Sequence, residues 1–546
     1  RGGSRAARAD RQLTEVLGPG IGACDADGIV LLARLQLAGG QFHILRRQGG
    51  FDVGDGQSPR GERGGVQPDA HGVALLAIDL GLGPVFDSLT ATGNDFVNGV
   101  IGNFTGVVVS LGANTFDGAD FDTLQIGSAN NDSLIQSAGN DFIDGGDAID
   151  TLNIGSNVEL ADFTFADNGF TLNVDGADTV LNVEKVVAAN ETYLIVGSGG
   201  FATIQEAVAA AQDDQTIIVT EGDYTGTVTI GSDLNDVTII GVGNAVLNGA
   251  FNIGGSGTTI DNLAIQNGAA VSGSKTAIYL NASDVTLSNL EMTNPTPFDA
   301  NTFGIESVFG ANTSGLTITN VNSSGFQTGL YLNPGAEGTV VSDSSFIGTR
   351  AGAGVDSVQD LTLTNSTFDG NDLDLELFNI DGTQFVANDN TFVDGAIQNN
   401  QYGGQMSGVL SFGPSTFGGV QYDTLEIGSV NADMLTQSVG DDYIDGGAGV
   451  DTLTVAADID VADFTFNADG FMLAVDGDDT VLNGEKVVAN NQTYLIVGSG
   501  GFATIQDAVA AAEDGQTIVV TEGNYSGTVT IGSDLNDVTI IGVGNA

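Results

Sequence analysis

Short stretches in which apolar and polar residues alternate recur from residue 193 onward, and Gly, Asn or Asp ends most of them. The first three are TIIVT (216–220), TVTI (227–230) and DVTII (236–240), and all are rich in β-branched residues. Alternation with a period of two, between turn-forming residues, is typical of short strands with one buried face. The pattern therefore predicts an all-β chain.

One stretch has the period of a helix instead. The segment FATIQEAVAAAQDDQT places Ile204, Val208 and Ala211 on a single helical face. Thr203 and Glu206 have the spacing of a capping box at a helix N-terminus. A capped helix is therefore expected before the first strands, where it would cover strand edges that otherwise invite aggregation.

Longer units of the alternating pattern repeat between residues 259 and 395, for example TIDNLAIQNG (259–268) and LTLTNSTFDG (361–370). Units of about 20–30 residues, with short strands and Asn or Gly corners, are typical of the coils of a solenoid. Stacked coils would place one apolar residue of each unit in a common core, about 4.8 Å from the next. The equivalent positions are Leu263, Leu290, Val321, Phe346, Phe368 and Phe392.

These coils resemble the pectin-lyase-like superfamily of right-handed parallel β-helices. The resemblance includes the capped helix before the coils and the pattern of Ile, Val, Gly and Tyr that ends at Tyr224. The resemblance covers residues 193–395, and residues 494–546 are similar to the beginning of a second such domain. It implies a solenoid whose first coil is covered by one helix. The fold alone assigns no chemistry, because one fold serves many activities.

A second pattern, Asp-x-apolar, recurs upstream at intervals of 10, 9 and 9 residues and returns at the same spacing in the second half of the chain. The segment GGAGVDTLT (446–454) matches the nonapeptide G-G-x-G-x-D-x-U-x at every fixed position, whereas Ala148 replaces the third Gly in the first copy. Gly lets backbone carbonyls face inward, Asp adds a carboxylate, and cages of oxygen atoms suit calcium. The predicted calcium-site residues are Asp122, Asp132, Asp141, Asp150, Gly145 and Gly146, and in the second copy Asp423, Asp433, Asp442, Asp451, Gly446, Gly447 and Gly449.

This second pattern resembles the RTX (repeats-in-toxin) family of calcium-binding secreted proteins. The stretch DGADTVLNVEKV (175–186) is also similar to the G-x-D-T-hydrophobic-x-N-V-E segment that often follows RTX repeats. The resemblance covers about 85–190 and 396–492. It implies β-roll modules that bind Ca²⁺, secretion, and folding in external calcium. The alternative is that GND and DGG are ordinary turns of a β-rich protein.

Both patterns belong to a tandem duplication with a period of 301 residues. The segment that begins at Asp122 returns at Asp423 and matches without a gap as far as Ala245 and Ala546. The sequence therefore predicts β-roll modules that alternate with β-helix modules, and we expect the parent protein to be longer. The predicted domains are 85–192 (RTX-like), 193–395 (β-helix), 396–493 (second RTX-like) and 494–546 (truncated start of a second β-helix).

Residues 1–84 have a different composition. They hold 9 of the 13 basic residues, both His and the only Cys, and their 9 acids make the segment formally neutral. No periodic pattern assigns a fold to this segment. It is interpreted either as a sequence foreign to the rest, such as a misassigned reading frame, or as disordered.

The sequence from residue 85 to residue 546 carries the whole formal charge of −57. This excess of carboxylates excludes binding to nucleic acid, which needs cations against its phosphates, and binding to an anionic membrane surface. The carboxylates also repel one another, so either the charge is spread over a long surface or bound cations neutralise part of it. No apolar run is long enough to span a membrane, and one Cys excludes a disulfide framework.

Two features of the predicted β-helix are candidates for catalysis, although residues 85–546 contain no His, Cys or Trp. Arg350 is a candidate to bind a uronate carboxylate or to act as a base; the alternative is that it pairs with an acid. Asp372, Asp374 and Glu376 alternate with Leu, which predicts three carboxylates on the outer face of one strand, roughly 7 Å apart. Such acids serve inverting glycoside hydrolysis or hold calcium, and the alternative is a solvated face over a Leu-lined interior.

The leading hypothesis is a secreted, non-catalytic, calcium-binding repeat protein of the bacterial surface or adhesin type, located outside the cell or on its surface. The alternative is a polysaccharide lyase, epimerase or hydrolase that acts on acidic glycans and has calcium-binding accessory modules. A third hypothesis is a carbohydrate-binding module on the flank of the β-helix. The expected partners are calcium and a polysaccharide or cell surface, without nucleic acid and without insertion into a membrane. The sequence leaves open whether the protein is an enzyme.

Overall fold

The computed structural model describes residues 108–266, 275–296, 301–370, 372–393, 395–400 and 408–546, together with the backbone of a few short strands outside these ranges. The N-terminal ones are β1 (Leu31–Leu32), β2 (Leu76–Ile78), β3 (Asp95–Phe96) and β4 (Ile101–Asn103). The rest of the unassigned segment 1–84, and most of the predicted calcium module before residue 108, lie outside the described residues. The described chain is nearly all β, which confirms the predicted fold class at that level.

The chain divides into two compact units, one up to Thr192 with Ser198–Gly200 and one that comprises Tyr193–Gly197 and Phe201–Ala546. The first unit consists of strands of three or four residues between Asp- and Gly-rich turns. From residue 108 its strands are β5 (Val109–Leu111), β6 (Asn114–Phe116), β7 (Ala119–Phe121), β8 (Thr123–Ile126), β9 (Ser133–Ile135), β10 (Asp141–Asp144), β11 (Thr151–Asn153), β12 (Phe163–Ala166), β13 (Gly169–Leu172), β14 (Asp178–Leu181) and β15 (Lys185–Val187), with a 3₁₀ turn at Leu160–Asp162.

Successive strands of this unit contribute alternately to two parallel sheets. In one sheet β10 pairs with β8 and β14, and in the other β11 pairs with β9 and β15. Each coil advances 18 residues, since Asp141 lies opposite Thr123 and Thr151 lies opposite Ser133. The antiparallel hairpin of β12 and β13 lengthens the next coil. The apolar residues of the Asp-x-apolar triplets are fully buried, as the pattern predicts; they are Leu124, Leu134, Ile143 and Leu152.

The second unit begins with a strand and a short helix and continues in coils of longer strands. Its elements up to residue 400 are β16 (Thr192–Val196), α1 (Ile204–Ala210), β17 (Thr216–Val219), β18 (Gly222–Ile230), β19 (Thr238–Gly241), β20 (Ala245–Ile253), β21 (Thr259–Asp261), β22 (Ala264–Gln266), β23 (Ala270–Val271), β24 (Ser274–Leu280), β25 (Thr286–Thr293), β26 (Thr302–Ser307), β27 (Thr317–Leu332), β28 (Val340–Ser342), β29 (Ser345–Asp356), β30 (Leu361–Thr364), β31 (Thr367–Gly370), β32 (Leu373–Phe378), a 3₁₀ turn at Gly382–Gln384, β33 (Phe385–Asn388), β34 (Thr391–Phe392) and β35 (Ala396–Asn400).

The helix α1 lies where the sequence predicts it, and its capping box is present. The backbone N–H of Glu206 donates to Thr203 Oγ1 at 3.2 Å, and the N–H of Thr203 donates to Glu206 Oε2 at 3.1 Å. Ile204 and Val208 are buried. The prediction that Ala211 belongs to the helical face is wrong, because the helix ends at Ala210 and Ala211 is its extended C-cap residue.

The strands from β17 to β35 stack in three parallel ladders, so this region is a parallel β-helix. Each ladder places one row of apolar side chains inside and one row of side chains outside, because successive residues of a strand face opposite ways. The third ladder, formed by β24, β26, β27, β29, β32 and β35, has an inner row in which every residue is buried: Ile278, Ile305, Leu330, Ala353, Leu375 and Ile397.

A stack of phenylalanine rings fills the later coils. Phe346, Phe368 and Phe392 are register partners on adjacent strands, as predicted, and their ring centroids lie 5.8 and 5.7 Å apart. Val321 is not the partner of Phe346, however, because Ser323 lies opposite that ring. The small side chain of Ser323 and the bulges that follow it in β27 leave room for the stack to begin.

Asn and Asp residues turn one corner of the coils, as the Asn-rich corners of the sequence predict. Asn289, Asn320 and Asn365 have φ values near +50°, a region that Asn adopts more readily than most residues. Their side chains bond from coil to coil: Asn320 Nδ2 donates to Asn289 Oδ1 at 2.7 Å, and Asn289 Nδ2 donates to Asp261 Oδ1 at 2.6 Å.

The rest of the second unit has the element order of the first unit and the start of the β-helix. Phe412 lies 5.6 Å from Phe392, so one core continues from the β-helix into this region. Its elements are β36 (Leu410–Phe412), β37 (Ser415–Phe417), β38 (Val420–Tyr422), β39 (Thr424–Ile427), β40 (Met434–Thr436), β41 (Asp442–Asp445), β42 (Thr452–Thr454), a 3₁₀ turn at Val461–Asp463, β43 (Phe464–Phe466), β44 (Gly470–Ala474), β45 (Asp478–Leu482), β46 (Lys486–Val488), β47 (Thr493–Val497), α2 (Ile505–Ala511), β48 (Thr517–Val520) and β49 (Thr539–Gly542).

Neither helix in the described part of the chain has the length and apolar character that crossing a membrane requires.

Candidate functional site

Three of the acids in the first unit form a ladder that crosses the ends of β9, β11 and β15. Asp150 Oδ1 accepts a hydrogen bond from the backbone N–H of Asp132 at 2.6 Å, and Glu184 Oε2 accepts one from the N–H of Asp150 at 2.7 Å. The Asp150 carboxylate therefore caps the start of β9, and the Glu184 carboxylate caps the start of β11, each in the preceding coil. The side chains of Asp132, Asp150 and Glu184 are called the first acid ladder below.

A second acid ladder lies at the ends of β10 and β14. Asp178 Oδ1 accepts from the N–H of Asp141 at 2.9 Å, and Asp141 Oδ2 accepts from the N–H of Ser137 at 2.8 Å. The triplet pattern groups Asp122 with these acids, but Asp122 does not belong to this ladder. It is exposed and accepts from the N–H of Asn140 at 3.1 Å. The reason is register: a coil has 18 residues and Asp122 precedes Asp141 by 19, so Asn140 and not Asp141 lies opposite it.

Both ladders recur in the second copy. Asp451 Oδ1 accepts from the N–H of Asp433 at 2.7 Å, and Glu485 Oε2 accepts from the N–H of Asp451 at 2.8 Å. Asp479 Oδ1 accepts from the N–H of Asp442 at 3.0 Å. Asp423 is exposed, like Asp122, and accepts from the N–H of Asp441 at 3.2 Å.

Four members of the ladders were missed by the sequence reasoning: Asp178, Glu184, Asp479 and Glu485. A signal for Asp178 was present, because Asp178-Thr-Val180 repeats the Asp-x-apolar triplet. The hairpin of β12 and β13 separates it from Asp150 by 28 residues, so it does not follow the interval of nine. Glu184 precedes β15 as Asp150 precedes β11. It was missed because a Glu stands there instead of the Asp of the triplets.

Burial, in most cases with nearby negative charges, raises the pKa of several ladder acids. Burial raises the pKa of Asp150 to about 7, and the negative charges of Glu184 and Asp132 add to the rise. Burial likewise raises the pKa of Asp178 to about 6 and that of Asp451 to about 6. It raises the pKa of Asp479 to about 7 and that of Glu485 to about 7. When these acids are ionised, their negative charges repel one another, and the fold holds them together against this repulsion.

One oxygen of several ladder carboxylates is buried and accepts no hydrogen bond. These oxygens are Asp141 Oδ1, Asp150 Oδ2, Asp451 Oδ2 and Asp479 Oδ2. In the described part of the chain, no three acidic side chains converge as metal ligands would. A cation beside the ladders would therefore need backbone carbonyl oxygens as well as carboxylates.

The predicted turn glycines have two different roles. Gly145 and Gly446 are buried, and a Cβ there would lie 2.7 Å from Asp150 Oδ2 and 2.9 Å from Asp451 Oδ2, so glycine leaves the space beside these free oxygens. Gly146, Gly447 and Gly449 instead have φ values of 99°, 84° and 137°, which L-residues rarely adopt.

Position 148 offers a matched pair of substitutions. Ala148 has φ 84°, whereas Gly449 is its counterpart in the second copy. We expect Ala148→Gly to stabilise the first unit by about 0.5–1 kcal/mol, because it removes backbone strain. Gly449→Ala should destabilise the second copy by about 1–3 kcal/mol, since its Cβ would also lie 2.6 Å from the carbonyl oxygen of Asn431. Thermal melting of both variants measures the effect, and a loss of stability in Ala148→Gly would contradict it.

A different group of side chains lies on the outer row of the third β-helix ladder. This outer patch comprises Phe303, Glu306, Tyr331, Arg350, Asp356 and Glu376. Glu306, Tyr331, Gly354 and Glu376 are successive register partners. A Cβ at Gly354 would lie 2.8 Å from Tyr331 Cδ2, so the tyrosine ring covers this glycine.

The outer patch combines aromatic rings with opposite charges. The rings of Phe303 and Tyr331 lie 5.5 Å apart at 46°. An Arg350 guanidinium nitrogen donates to Glu376 Oε2 at 2.7 Å, as the second interpretation of Arg350 predicts. Burial raises the pKa of Tyr331, the charges of Asp356 and Glu376 raise it further, and Arg350 opposes them.

The predicted row of three carboxylates on β32 is wrong. Only Asp372 is exposed. Asp374 is fully buried, and its Oδ1 accepts from the N–H groups of Gly370 and Gly395 at 3.0 Å each. A register shift between Leu373 and Leu375 breaks the strict alternation that the prediction assumed, and Asp374 caps backbone donors at the resulting bend.

Comparisons with known proteins agree with the β-helix. A family model described as "Right handed beta helix region" matches residues 248–417, which confirms a right-handed β-helix there. The rice weevil pectin methyl esterase is similar over 46% of this chain and 78% of its own, at 15% identity and a TM-score of 0.26. A PL6 alginate lyase in complex with a trisaccharide is similar over 62% of this chain and 76% of its own, at 13% identity and a TM-score of 0.30.

The catalytic domain of a GH87 alpha-1,3-glucanase, in complex with tetrasaccharides, is similar over 64% of this chain and 66% of its own, at 14% identity and a TM-score of 0.27. Structural similarities this low carry no argument about activity. No curated protein matches the sequence of this chain.

Proposed function

We propose that this protein acts on polysaccharide at the outer patch of its β-helix. The observation that carries the proposal is the combination of two half-buried aromatic rings with a guanidinium–carboxylate pair on the outer side of one ladder, where the Arg350 side chain is 39% exposed and that of Glu376 is 10% exposed. Aromatic faces pack against the C–H faces of sugars, and paired polar groups at their edges bond to sugar hydroxyls. A ladder of stacked strands also offers the long, regular surface that a polymer needs.

The same patch offers a pair of acids for cleavage. Asp356 lies opposite Phe378, two residues beyond Glu376, so the two backbone positions are roughly 8 Å apart by strand geometry. Carboxylates about 6.5–9.5 Å apart fit inverting glycoside hydrolysis, in which one acid protonates the leaving oxygen and the other activates water. Asp356, which is half-buried, and Glu376, which is 8% exposed and paired with Arg350, are therefore the candidate pair in place of Asp374, which is 0% exposed.

A panel of soluble polysaccharides tests the proposal through retention of each polymer and release of reducing ends. Binding should depend on Tyr331, so Tyr331→Ala should lose it, while Phe309→Ala, which alters a ring that is 73% exposed and outside the patch, should not. Products that disappear in Asp356→Asn would identify a hydrolase. Binding without products would identify a surface protein of the adhesin type. Retention that is equal in Tyr331→Ala and the native chain would refute the proposal.

We propose in addition that the acid ladders bind Ca²⁺, with the chain outside the cell or on its surface. The support is chemical: the ladder side chains carry only carboxylate oxygens, some of these oxygens accept no hydrogen bond, and glycine leaves space beside Asp150 and Asp451. The 18-residue coil in two parallel sheets also supports the RTX-like interpretation. Because no three acidic side chains of the described residues converge, Asp132, Asp150 and Glu184 would not share one ion; each would contribute to an ion together with backbone carbonyls. Binding would offset the repulsion among them.

A calcium titration of the whole chain, followed by circular dichroism and thermal melting with magnesium as the control, tests this second proposal. We expect a calcium-specific rise in melting temperature that is reduced in Asp150→Asn and reduced further in Asp150→Asn/Asp451→Asn, with the remainder due to the ladders of Asp141 with Asp178 and of Asp442 with Asp479. A midpoint near the millimolar range would fit an extracellular setting. No response up to about 10 mM would mean that the carboxylates serve only as turn caps.

A further inference from the structure

The outer patch has an excess of negative charge that restricts the glycans it can hold. Its acids are Glu306, Asp356 and Glu376, and Arg350 is its one basic residue. Arg350 is already paired with Glu376 at 2.7 Å. A glycan carboxylate would have to break this pair and would then face the two other acids. Such an approach is unfavourable unless a further cation accompanies it.

The surroundings of the patch reinforce this charge. Residues 193–400 contain 23 Asp and Glu against two basic residues, Lys275 and Arg350. Asp372 is exposed, and its backbone N–H bonds to the carbonyl of Arg350, which brings another acid to the edge of the patch. A surface of one sign concentrates polymers of the opposite sign and repels those of the same sign.

The rings give the patch a second requirement. Tyr331 and Phe303 are partly exposed and lie 5.5 Å apart, so together they present a tilted apolar surface of about the width of one sugar ring. Acids lie on both sides of Tyr331 along the ladder, Glu306 on one adjacent strand and Glu376 two strands away on the other side. The negative charges of these acids would attract positive groups spaced along a polymer while the ring stacks on a sugar.

We propose that the outer patch binds a glycan that contains amino sugars in their protonated form. This inference rests on the proposed polysaccharide function and replaces the expectation of an acidic glycan. An ammonium group would bond to Asp356 while Tyr331 packs against the sugar ring. Glu306, which accepts a hydrogen bond from Thr276 Oγ1 at 2.8 Å, would add its negative charge to the attraction. Arg350 would remain paired with Glu376 and would hold that carboxylate in place.

Calorimetric titration of the whole chain at about pH 6 with three soluble hexamers tests this inference. The probes are hexamers of glucosamine, of N-acetylglucosamine and of galacturonate. We expect the glucosamine hexamer to bind at least tenfold more tightly than the N-acetylglucosamine hexamer, and the galacturonate hexamer not to bind. Tyr331→Ala and Asp356→Asn should each weaken glucosamine binding about tenfold, with unchanged circular dichroism.

The matched control is Asp223→Asn, which removes one exposed carboxylate of the β-helix outside the patch. It should leave the affinity within about twofold. If Asp223→Asn weakens binding as much as Asp356→Asn does, or if Tyr331→Ala has no effect on glucosamine binding, attraction to the overall charge explains the result and the inference is overturned. Tighter binding of the neutral or the acidic hexamer, dependent on Tyr331, would overturn the inference and leave the polysaccharide proposal intact. Absence of Tyr331-dependent binding for all three hexamers would overturn both.

Discussion

Replacement of Phe368 by alanine is expected to lower the free energy of unfolding of the β-helix by about 3–5 kcal/mol. Phe368 is fully buried, and its ring lies between those of Phe346 and Phe392 at 5.8 and 5.7 Å. Removal of the Phe368 ring leaves a cavity between the rings of Phe346 and Phe392. Strand pairing holds these two rings at a fixed spacing, so they cannot move together to close the cavity.

Urea denaturation followed by circular dichroism measures the effect. Phe368→Leu should recover more than half of the loss, because leucine refills most of the volume. Phe309→Ala is the control, since that side chain is 73% exposed and should change stability by less than about 0.5 kcal/mol. Equal stabilities of Phe368→Ala and Phe309→Ala would mean that the ring stack does not support the coils.

The coil positions of the β-helix were predictable because they depend on local rules. Apolar alternation and Asn corners recur in each unit, and they identified the register partners Phe346, Phe368 and Phe392. The alignment of Val321 with Phe346 was wrong because β27 contains irregularities. A bulge changes the register without a change in the apolar pattern, so the sequence alone does not reveal it.

The acid ladders were only partly predictable for a related reason. The triplet pattern identified Asp132, Asp141 and Asp150. They lie 9 residues apart, so Asp132 and Asp150 are separated by the 18 residues of one coil. It also included Asp122, whose one-residue offset excludes it from the ladder, and it missed Glu184 behind an inserted hairpin. Membership of a ladder depends on which residue lies opposite, and an offset or an insertion alters that relation without altering the motif.

The outer patch had no sequence signal as a group. Tyr331, Arg350 and Glu376 are far apart in sequence, and the winding of the chain alone places them on adjacent strands. Alternation did predict an outward Glu376, but it gave the same prediction for Asp374, which caps backbone donors in the interior. The outward position of a side chain thus follows from strand pairing and local bends together.

In the absence of divalent cations, the acid ladders are expected to make the protein more stable at pH 5 than at pH 8. The pKa of Asp150 is raised to about 7 and that of Asp479 to about 7, whereas an aspartate in the unfolded chain titrates near 4. Between about pH 4 and pH 7 the folded state therefore keeps protons that the unfolded chain releases. The stability from these protons is complete below about pH 4 and is lost as the pH rises through about 7.

The effect should be large because several groups share it. One unit of pKa difference corresponds to about 1.4 kcal/mol, so even partial contributions from the ladder acids of both copies should total several kcal/mol. Melting temperatures in EDTA between pH 5 and pH 8 measure it. Asp150→Asn/Asp451→Asn should flatten the profile, since the amide keeps the acceptor oxygen without the charge, while Asp223→Asn should leave its slope unchanged.

Calcium gives the same experiment a second outcome. If the ladders bind Ca²⁺, the ion should raise the melting temperature more at pH 8 than at pH 5, because protons compete for the same carboxylates. A melting temperature that rises from pH 5 to pH 8 in EDTA would show that the buried carboxylates are stable when ionised. The hydrogen bonds from backbone N–H groups to Asp150 and Glu184 would then outweigh burial and repulsion, and the ladders would need no cation.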